Sequence, residues 1–353
     1  MRLKPEIKKV DSELLFKNSK LKYGETEVFT PIKASYRSNP ISKVNEIYKE
    51  YTLEKIDRCD KNDDEERKAN AEINRQKTTG INFVIINYTS PTRPNNKQIE
   101  FLSDIQCSNS DVAITPIWSE ITKSYEGEKL RDTFLSLTNE FVEVTKTQNG
   151  QTIWGMLPTK IPRLFLEPLV ENYVNQDITS FVVDFGGRSI DGVMSRLRYL
   201  TRLISANGLT DECILYGINA SEGKFMKKAA EIPAKDFMSL GFGMDILGLN
   251  HTPIRMSKAR WDEIKAERQE STYRIFDREN YSYRRTSGKE ARILQVYSSS
   301  HRKDYNTKQQ YAETLALQKQ LEATDSIKSY IDEKEQASLY IDKMAKIRKE
   351  FKD

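Results

Sequence analysis

Cysteine and histidine are scarce in this sequence, and their scarcity excludes several chemistries. The 353 residues include three cysteines, Cys59, Cys107 and Cys213, and two histidines, His251 and His301. No CxxC or CxC pair occurs, so the thiolates and imidazoles of a zinc site are not at ligand spacing. An odd number of distant cysteines also argues against a disulfide framework and for a reducing compartment. No metal and no cofactor is expected. Long apolar runs are missing too. No stretch approaches the roughly 18 residues that cross a bilayer, and the opening MRLKPEIKKVDSELL has no uninterrupted apolar leader segment. The expectation is a soluble cytoplasmic protein without a membrane partner. Charge of one sign is lacking as well. Lys and Arg number 56 against 52 Asp and Glu, a net charge of +4. That balance permits a nucleic-acid partner without demanding one.

What is present points to architecture. The length suits one large α/β barrel or two average domains, and 37% hydrophobic residues support a real core. LKYGETEVFTPIKAS (21–35) has the form of a hairpin turned at a glycine, and Pro31 favours an edge or a strand start. Residues 41–76 are helical in composition, with DKNDDEER as a solvated turn or helix end. INFVIINY (81–88) is a continuous apolar run between turn signals and predicts a buried strand. Further strands are predicted in DVAITPIW (111–118), TIWGMLPT (152–159), TSFVVDF (179–185), ECILYGINA (212–220) and around 243–248. Helices are predicted between them at KQIEFLSDI, 128–146, after Pro162, and from Ile190 to Asn207-Gly208. A short one is expected in SEGKFMKKAAEI, and 234–251 has room for one more helix and strand.

Short apolar strands alternating with helices imply a parallel sheet. About seven in regular series suit a (β/α)8 TIM-type barrel better than a doubly wound sheet, which stays as the alternative. The expected organisation is an N-terminal segment (1–20), the barrel (21–254), a basic Tyr/Arg-rich segment (255–303) and C-terminal helices (304–353) that pack outside it. A coiled-coil protrusion is the competing view of those helices.

In such a barrel, functional groups sit at the C-terminal strand ends. The candidates are Lys33 and Arg37, Asn87 with Thr89 and Ser90, Thr115, Trp118 and Glu120, Thr159 and Lys160, Asp184 with Arg188, Asn219, and Asp245, Asn250 and His251. Asp184 lies in an apolar strand, where burial raises a carboxyl pKa unless cations or donors oppose it. It is either a base or substrate anchor, with Arg188 across the Gly186-Gly187 turn, or a carboxylate that stabilises its own loop. The two glycines followed by Ser189 either cradle a phosphate or only solve backbone geometry. His251 is either a general acid or base or a polar cap. Lys160 and Lys235 are candidate amine nucleophiles or phosphate anchors. In 255–303, Arg274, Arg284 and Arg285 could pair with phosphates while Tyr281 and Tyr283 stack on bases, and a solvated helix face is the alternative.

Several of these fragments resemble the tRNA-guanine transglycosylase superfamily. GETEVFTPIKAS (24–35), DFGGRSIDGVMSRL (184–197), CILYGINA (213–220) and GFGMDILG (241–248) are similar to its segments in order and spacing, over about a sixth of the chain. The resemblance implies a (β/α)8 barrel that exchanges a base in tRNA. It also marks departures. Gly248 stands where the family has its nucleophilic aspartate, with Asp245 three residues earlier. INYTSP (86–91) offers Asn87 where the family has an Asp-Ser-Gly-Gly turn, and the zinc motif is absent. The expectation is therefore a protein that binds tRNA or DNA and exchanges a base at an N-glycosidic bond. Asp184 or Asp245 is then the nucleophile or base, and Asn87, Arg188, Asn219, Asn250 and His251 hold the substrate. Two alternatives remain. One is a small-molecule enzyme on the same barrel. The other is a non-catalytic subunit of a homo- or hetero-dimer that docks through 304–353.

Overall fold

The computed structural model describes residues 3–36, 40–224, 229–252 and 273–352, together with Ala259 and Asp262. An antiparallel sheet opens the chain, with strands Lys4–Val10, Lys17–Tyr23 and Thr26–Phe29. The expected hairpin turns at Gly24, whose φ of 57° suits a residue without Cβ. The loop before it drives Leu14, Leu15 and Phe16 into the core.

Two parallel sheets follow. The larger has six strands in the order Ile32–Lys33, Ile246–Leu247, Leu215–Ile218, Phe181–Asp184, Ile153–Pro158 and Ala113–Ile114. The smaller has Val44–Tyr51, Ile81–Tyr88 and Ile117–Trp118. Isolated parallel bridges link the two sheets: Ser35 to Asn45 joins the chain after Ile32–Lys33 to the edge strand Val44–Tyr51, and Phe83 to Val112 joins the central strand Ile81–Tyr88 to the residue before Ala113–Ile114. The predicted strand 111–118 is thus two short pieces with different neighbours.

Helices fill the connections. Leu53–Lys61 begins at Thr52, whose side chain accepts from the Lys55 N–H, and ends at Asn62. Asn62 also caps Asp63–Asn74, so DKNDDEER is a helix junction. Asn95 and Gln98 form a reciprocal capping box at the start of Asn96–Asn109. Gly127–Asn149, Leu166–Val174 and Ile190–Ala206 occupy their predicted places.

Strand alternation sorts the core into two clusters. Val44, Phe83, Ile85, Trp154, Met156, Val182, Tyr216 and Ile246 form one. The intervening Ile47, Val84, Ile86, Val183 and Leu247 join helix residues such as Leu102, Leu137, Phe141 and Leu197 in the other. Burying a side chain of this size stabilises by about 1.5–3 kcal/mol. Both faces of Ile81–Tyr88 are buried, which is why six of its eight residues are apolar.

Three expectations need correction. Residues 44–51 form an eight-residue strand, not a helix. Their apolar positions 44, 47, 48 and 51 mimic helical spacing because the strand is buried on both faces. The helix expected in 221–232 is also not found. Residues 221–224, 229 and 230 are non-helical and Glu231–Pro233 is a strand, while 225–228 lie outside the described residues. Glu231–Pro233 pairs with Ser282–Arg285, which pairs with Arg274–Asp277, in an antiparallel sheet. Finally, Tyr281 and Tyr283 are 2% and 1% exposed, so neither ring can stack on a base. Their hydroxyls donate to Glu313 at 2.7 Å and to Asp236 at 2.7 Å, which explains why both rings are inside. Of the basic segment expected at 255–303, residues 255–272 apart from Ala259 and Asp262 lie outside the described residues.

The C-terminal helices pack against the strands instead of projecting. Ser299–Ala323 buries Leu317 and Leu321 in the same core, and Gln318 donates to the carbonyls of Phe29 and Pro31 at 2.8 and 2.9 Å. Glu335–Lys352 lies on Ile190–Ala206, where Glu350 accepts from Arg198. No helix among the described residues is long and apolar enough to cross a membrane.

Candidate functional site

The strand face that carries Val44, Ile85 and Val182 changes character toward its C-terminal end. On that side stand Glu46, Tyr48, Asn87 and Asp184, all polar and directed to the same side by the period of two. Parallel strands place these ends together, so residues far apart in sequence converge.

Glu46 is the centre of one group. Its side chain is wholly buried. It accepts from the Tyr216 hydroxyl, from His251 Nε2 at 2.5 Å and from the Leu249 N–H at 3.1 Å. Burial pushes its pKa up, but His251, Tyr216 and Lys33 together outweigh that and hold the carboxyl below the usual range. Accepting a hydrogen bond from Nε2 sets the imidazole tautomer and orientation. Tyr48 stacks on the same ring, 4.3 Å between centroids and 6° from parallel. Gly248 completes this corner, because a Cβ there would collide with Glu46 Oε2.

Asp184 is the centre of the other. It is 5% exposed, and Oδ1 accepts from Asn219 Nδ2 at 2.8 Å and from the Gly186 N–H at 2.9 Å. Among the described residues no donor reaches Oδ2. Burial raises the pKa of this carboxyl, with Asn219, Gly186 and the more distant Lys160 and His251 opposing. Gly186 and Gly187 have φ of 59° and 80°, a turn that L side chains rarely adopt. Asn219 itself has φ 57°, and its Oδ1 accepts from the His251 N–H at 2.8 Å. A continuous chain of contacts therefore runs Asp184, Asn219, His251, Glu46.

Asn87 joins the group from the neighbouring strand. It is 7% exposed and its Oδ1 has no partner among the described residues. Tyr48 lies between it and the two carboxylates: burial raises the Tyr48 pKa, Glu50, Asp184 and Glu46 add to the rise, and the Asn87 amide opposes it. Thr159, at the end of Ile153–Pro158, is another buried group whose hydroxyl lacks a partner.

The other predicted residues lie elsewhere. Asp245 precedes Ile246–Leu247 and so sits at the opposite, N-terminal end of the parallel strands. It accepts from the Leu215 N–H at 2.8 Å and pairs with Lys17 at 3.0 Å, with both side chains largely inside. Burial raises its pKa while Lys17 opposes. Arg188 donates to the Thr159 carbonyl at 3.1 Å, and the exposed Asn250 accepts from the Thr252 N–H at 2.9 Å. Lys235 pairs with Asp191 at 2.6 Å. Arg274 lies 3.8 Å from Glu222, Arg284 pairs with Asp277 and Glu290, and Arg285 is exposed.

Glu46, Tyr48 and Tyr216 are the site residues that sequence reasoning missed. The signal was available in VNEIYKEY, where Val44, Glu46 and Tyr48 alternate with Asn45, Ile47 and Lys49, but its charges disguise it as a helix. Among the described residues no group of three or more His, Cys, Asp or Glu has the spacing to hold a metal ion. No model of a known protein family matches this chain, and no curated protein is significantly similar to it.

Proposed function

We propose that the two parallel sheets are one closed barrel of eight strands, and that the polar group at its C-terminal end is a reaction site with Asp184 as the reacting carboxylate. The bridges Ser35–Asn45 and Phe83–Val112 support closure, since each continues the strand order where the sheets meet. One observation carries the functional reading. Asp184 is buried, with both of its hydrogen bonds on Oδ1, and it stands at a strand end. A carboxylate oriented through one oxygen presents the other to a substrate, and burial raises its proton affinity. The unpartnered Asn87 amide oxygen would accept from the same substrate.

The reaction we favour is base exchange at an N-glycosidic bond, as the resemblance to tRNA-guanine transglycosylases implies. Asp184 Oδ2 would bond to the anomeric carbon while the carbon–nitrogen bond breaks. The departing base keeps the bonding pair and takes a proton from solvent. An incoming base, losing its N–H proton, then displaces the carboxylate. Glu46, saturated by three donors, would act as a positioning residue for His251. With the Tyr281 and Tyr283 rings buried, a tRNA would have to be held by other groups.

The test is incorporation of labelled guanine into bulk tRNA by the full chain, alongside Asp184→Asn. That variant keeps an oxygen for Asn219 and Gly186 and removes only the reacting one. A loss of about 100-fold or more, with the melting temperature undiminished, is expected. Absence of incorporation by the unaltered protein would sink base exchange. A ligand-induced melting shift across free nucleobases and nucleosides that Asp184→Asn abolishes would then retain the site for a small-molecule reaction.

A further inference from the structure

A second polar cavity, of about 490 Å3, lies between the C-terminal ends of Ile32–Lys33 and Ile246–Leu247, the Arg274–Arg285 hairpin and the helix Ser299–Ala323. Lys33 points into it from the opposite face of its strand to the cluster that contains Ile32. Asp184 does not line it. Four cations and two carboxylates face the space: Lys33, Arg274, Arg302 and Lys303 against Glu222 and Asp236.

The charges are incompletely matched. Glu222 pairs with Arg302 at 3.3 Å and with Arg274 at 3.8 Å. Lys33, 4% exposed, donates to the Gly248 carbonyl, and Lys303 stands 4.3 Å over the Tyr36 ring. Among the described residues neither ammonium has a carboxylate within ion-pairing distance. Burying an ammonium against one neutral acceptor is costly unless an anion joins it. Burial pushes the Lys33 pKa down to about 8, which expresses the same cost.

Asp236 supplies an independent observation. It is 9% exposed, and Oδ2 accepts from the Tyr283 hydroxyl at 2.7 Å and from Gln310 Nε2 at 3.1 Å. Its Oδ1 is buried and has no partner among the described residues, and Asp236 is one of the residues that line the cavity. An occupant must therefore bring a negative group for Lys33 and Lys303, and at least one hydrogen-bond donor for Asp236. Its size is that of ordinary small-molecule sites, which run from about 300 to 1,000 Å3.

We propose that this cavity binds a small phosphate ester that carries hydroxyl groups, a sugar phosphate or a nucleoside monophosphate. The phosphate takes Lys33 and Lys303, and a hydroxyl donates to Asp236 Oδ1. The reading does not depend on Asp184.

Calorimetric titration of the full chain with ribose 5-phosphate and with uridine monophosphate tests it, with ribose and inorganic phosphate as comparison arms. At least one ester should bind, ribose should bind at least tenfold more weakly, and inorganic phosphate should also be weaker than the ester. Lys33→Met should lower the affinity for the ester at least tenfold. Lys303→Ala, at a half-buried position that tolerates truncation, should lower it severalfold, and Asp236→Asn should weaken ester binding more than phosphate binding. Circular dichroism checks that each variant is folded. Failure of both esters to bind overturns the proposal, as does equal binding by Lys303→Ala and a folded Lys33→Met. Inorganic phosphate binding as tightly as the esters would overturn the ester assignment.

Discussion

Replacing Glu46 by Gln tests whether the core of the site is held by charge. The substitution keeps shape and volume but removes the anion that accepts from Tyr216, His251 and Leu249. A glutamine amide has one acceptor oxygen, so at least one of those donors must face an NH2 group. Hydrogen bonds to charged groups contribute about 1.5–3 kcal/mol each, and breaking a buried charged network costs about 3–5 kcal/mol. The unfolding entropy of about 2.1 cal/mol/K per residue gives about 0.7 kcal/mol/K for 353 residues. The expected loss is therefore about 4–7 °C in Tm. The Tyr216 contribution is isolated by a double-mutant cycle in urea. Tyr216→Phe should cost about 1.5–3 kcal/mol in the native background and about 1 kcal/mol less beside Glu46→Gln, where the hydroxyl meets a neutral amide. The pH dependence has a defined sign. The folded-state pKa of Glu46 is lowered, so its contribution is fully present above the ordinary carboxylate range, near pH 4.3, and fades as pH falls through the folded value. Strict additivity of the two substitutions, or a Glu46→Gln deficit that does not diminish below about pH 4, would refute the reasoning.

Three further outcomes are expected. Asp184→Asn should be at least as stable as the native chain at pH 7, because a carboxyl with a raised folded-state pKa weakens the native state as pH climbs through the interval above pH 3.8; parallel urea titrations should show the advantage vanish in acid. Lys17→Met should destabilise by about 3–5 kcal/mol by stranding Asp245, while ligand-induced melting shifts at the opposite strand ends stay unchanged. Tyr281→Phe and Tyr283→Phe should each cost about 1.5–3 kcal/mol in chemical denaturation through Glu313 and Asp236, and neither should alter the salt dependence of tRNA binding.

Legibility of the fold depended on whether a strand's burial could be seen locally. INFVIINY is apolar at six of its eight positions and bounded by turn residues, so Ile81–Tyr88 is apparent without any knowledge of its neighbours. Val44–Tyr51 is buried at six of its eight positions, yet it contains Glu46 and Lys49, whose partners are distant. Glu46 is satisfied by Tyr216 and His251, which lie 170 and 205 residues away, and Lys49 pairs with Glu72 on a following helix. A charge that looks solvated in a window of ten residues is, in the folded chain, neutralised across the sheet. The same reason hid half of the site. Asp184, Asn219 and His251 were visible as polar residues at predicted strand ends, whereas Glu46 and Tyr48 needed their strand to be found first. Tyr281 and Tyr283 erred in the other direction. Tyrosines among arginines suggest a stacking surface, but their hydroxyls find Glu313 and Asp236 inside the fold.

Asp184 and Asp245 differ in the ways that separate the proposed reacting carboxylate from a structural one. Both occur beside short apolar strands, both are buried, and burial raises the pKa of each. Sequence alone could not rank them. The direction of the parallel strands separates them first, since Asp184 ends its strand and Asp245 precedes its own. Their partners separate them again. Asp245 faces a lysine ammonium at 3.0 Å and a backbone N–H on the same Oδ2, an arrangement that offsets the cost of the buried charge within the fold. Asp184 has only two neutral donors, both on one oxygen, and its nearest cationic influences, Lys160 and His251, act from beyond contact. A buried carboxylate left short of compensation weakens the native state, and such a cost persists where the open oxygen has chemical use. That asymmetry, more than burial or the Gly-Gly turn, is the physical ground for proposing Asp184 as the reacting group.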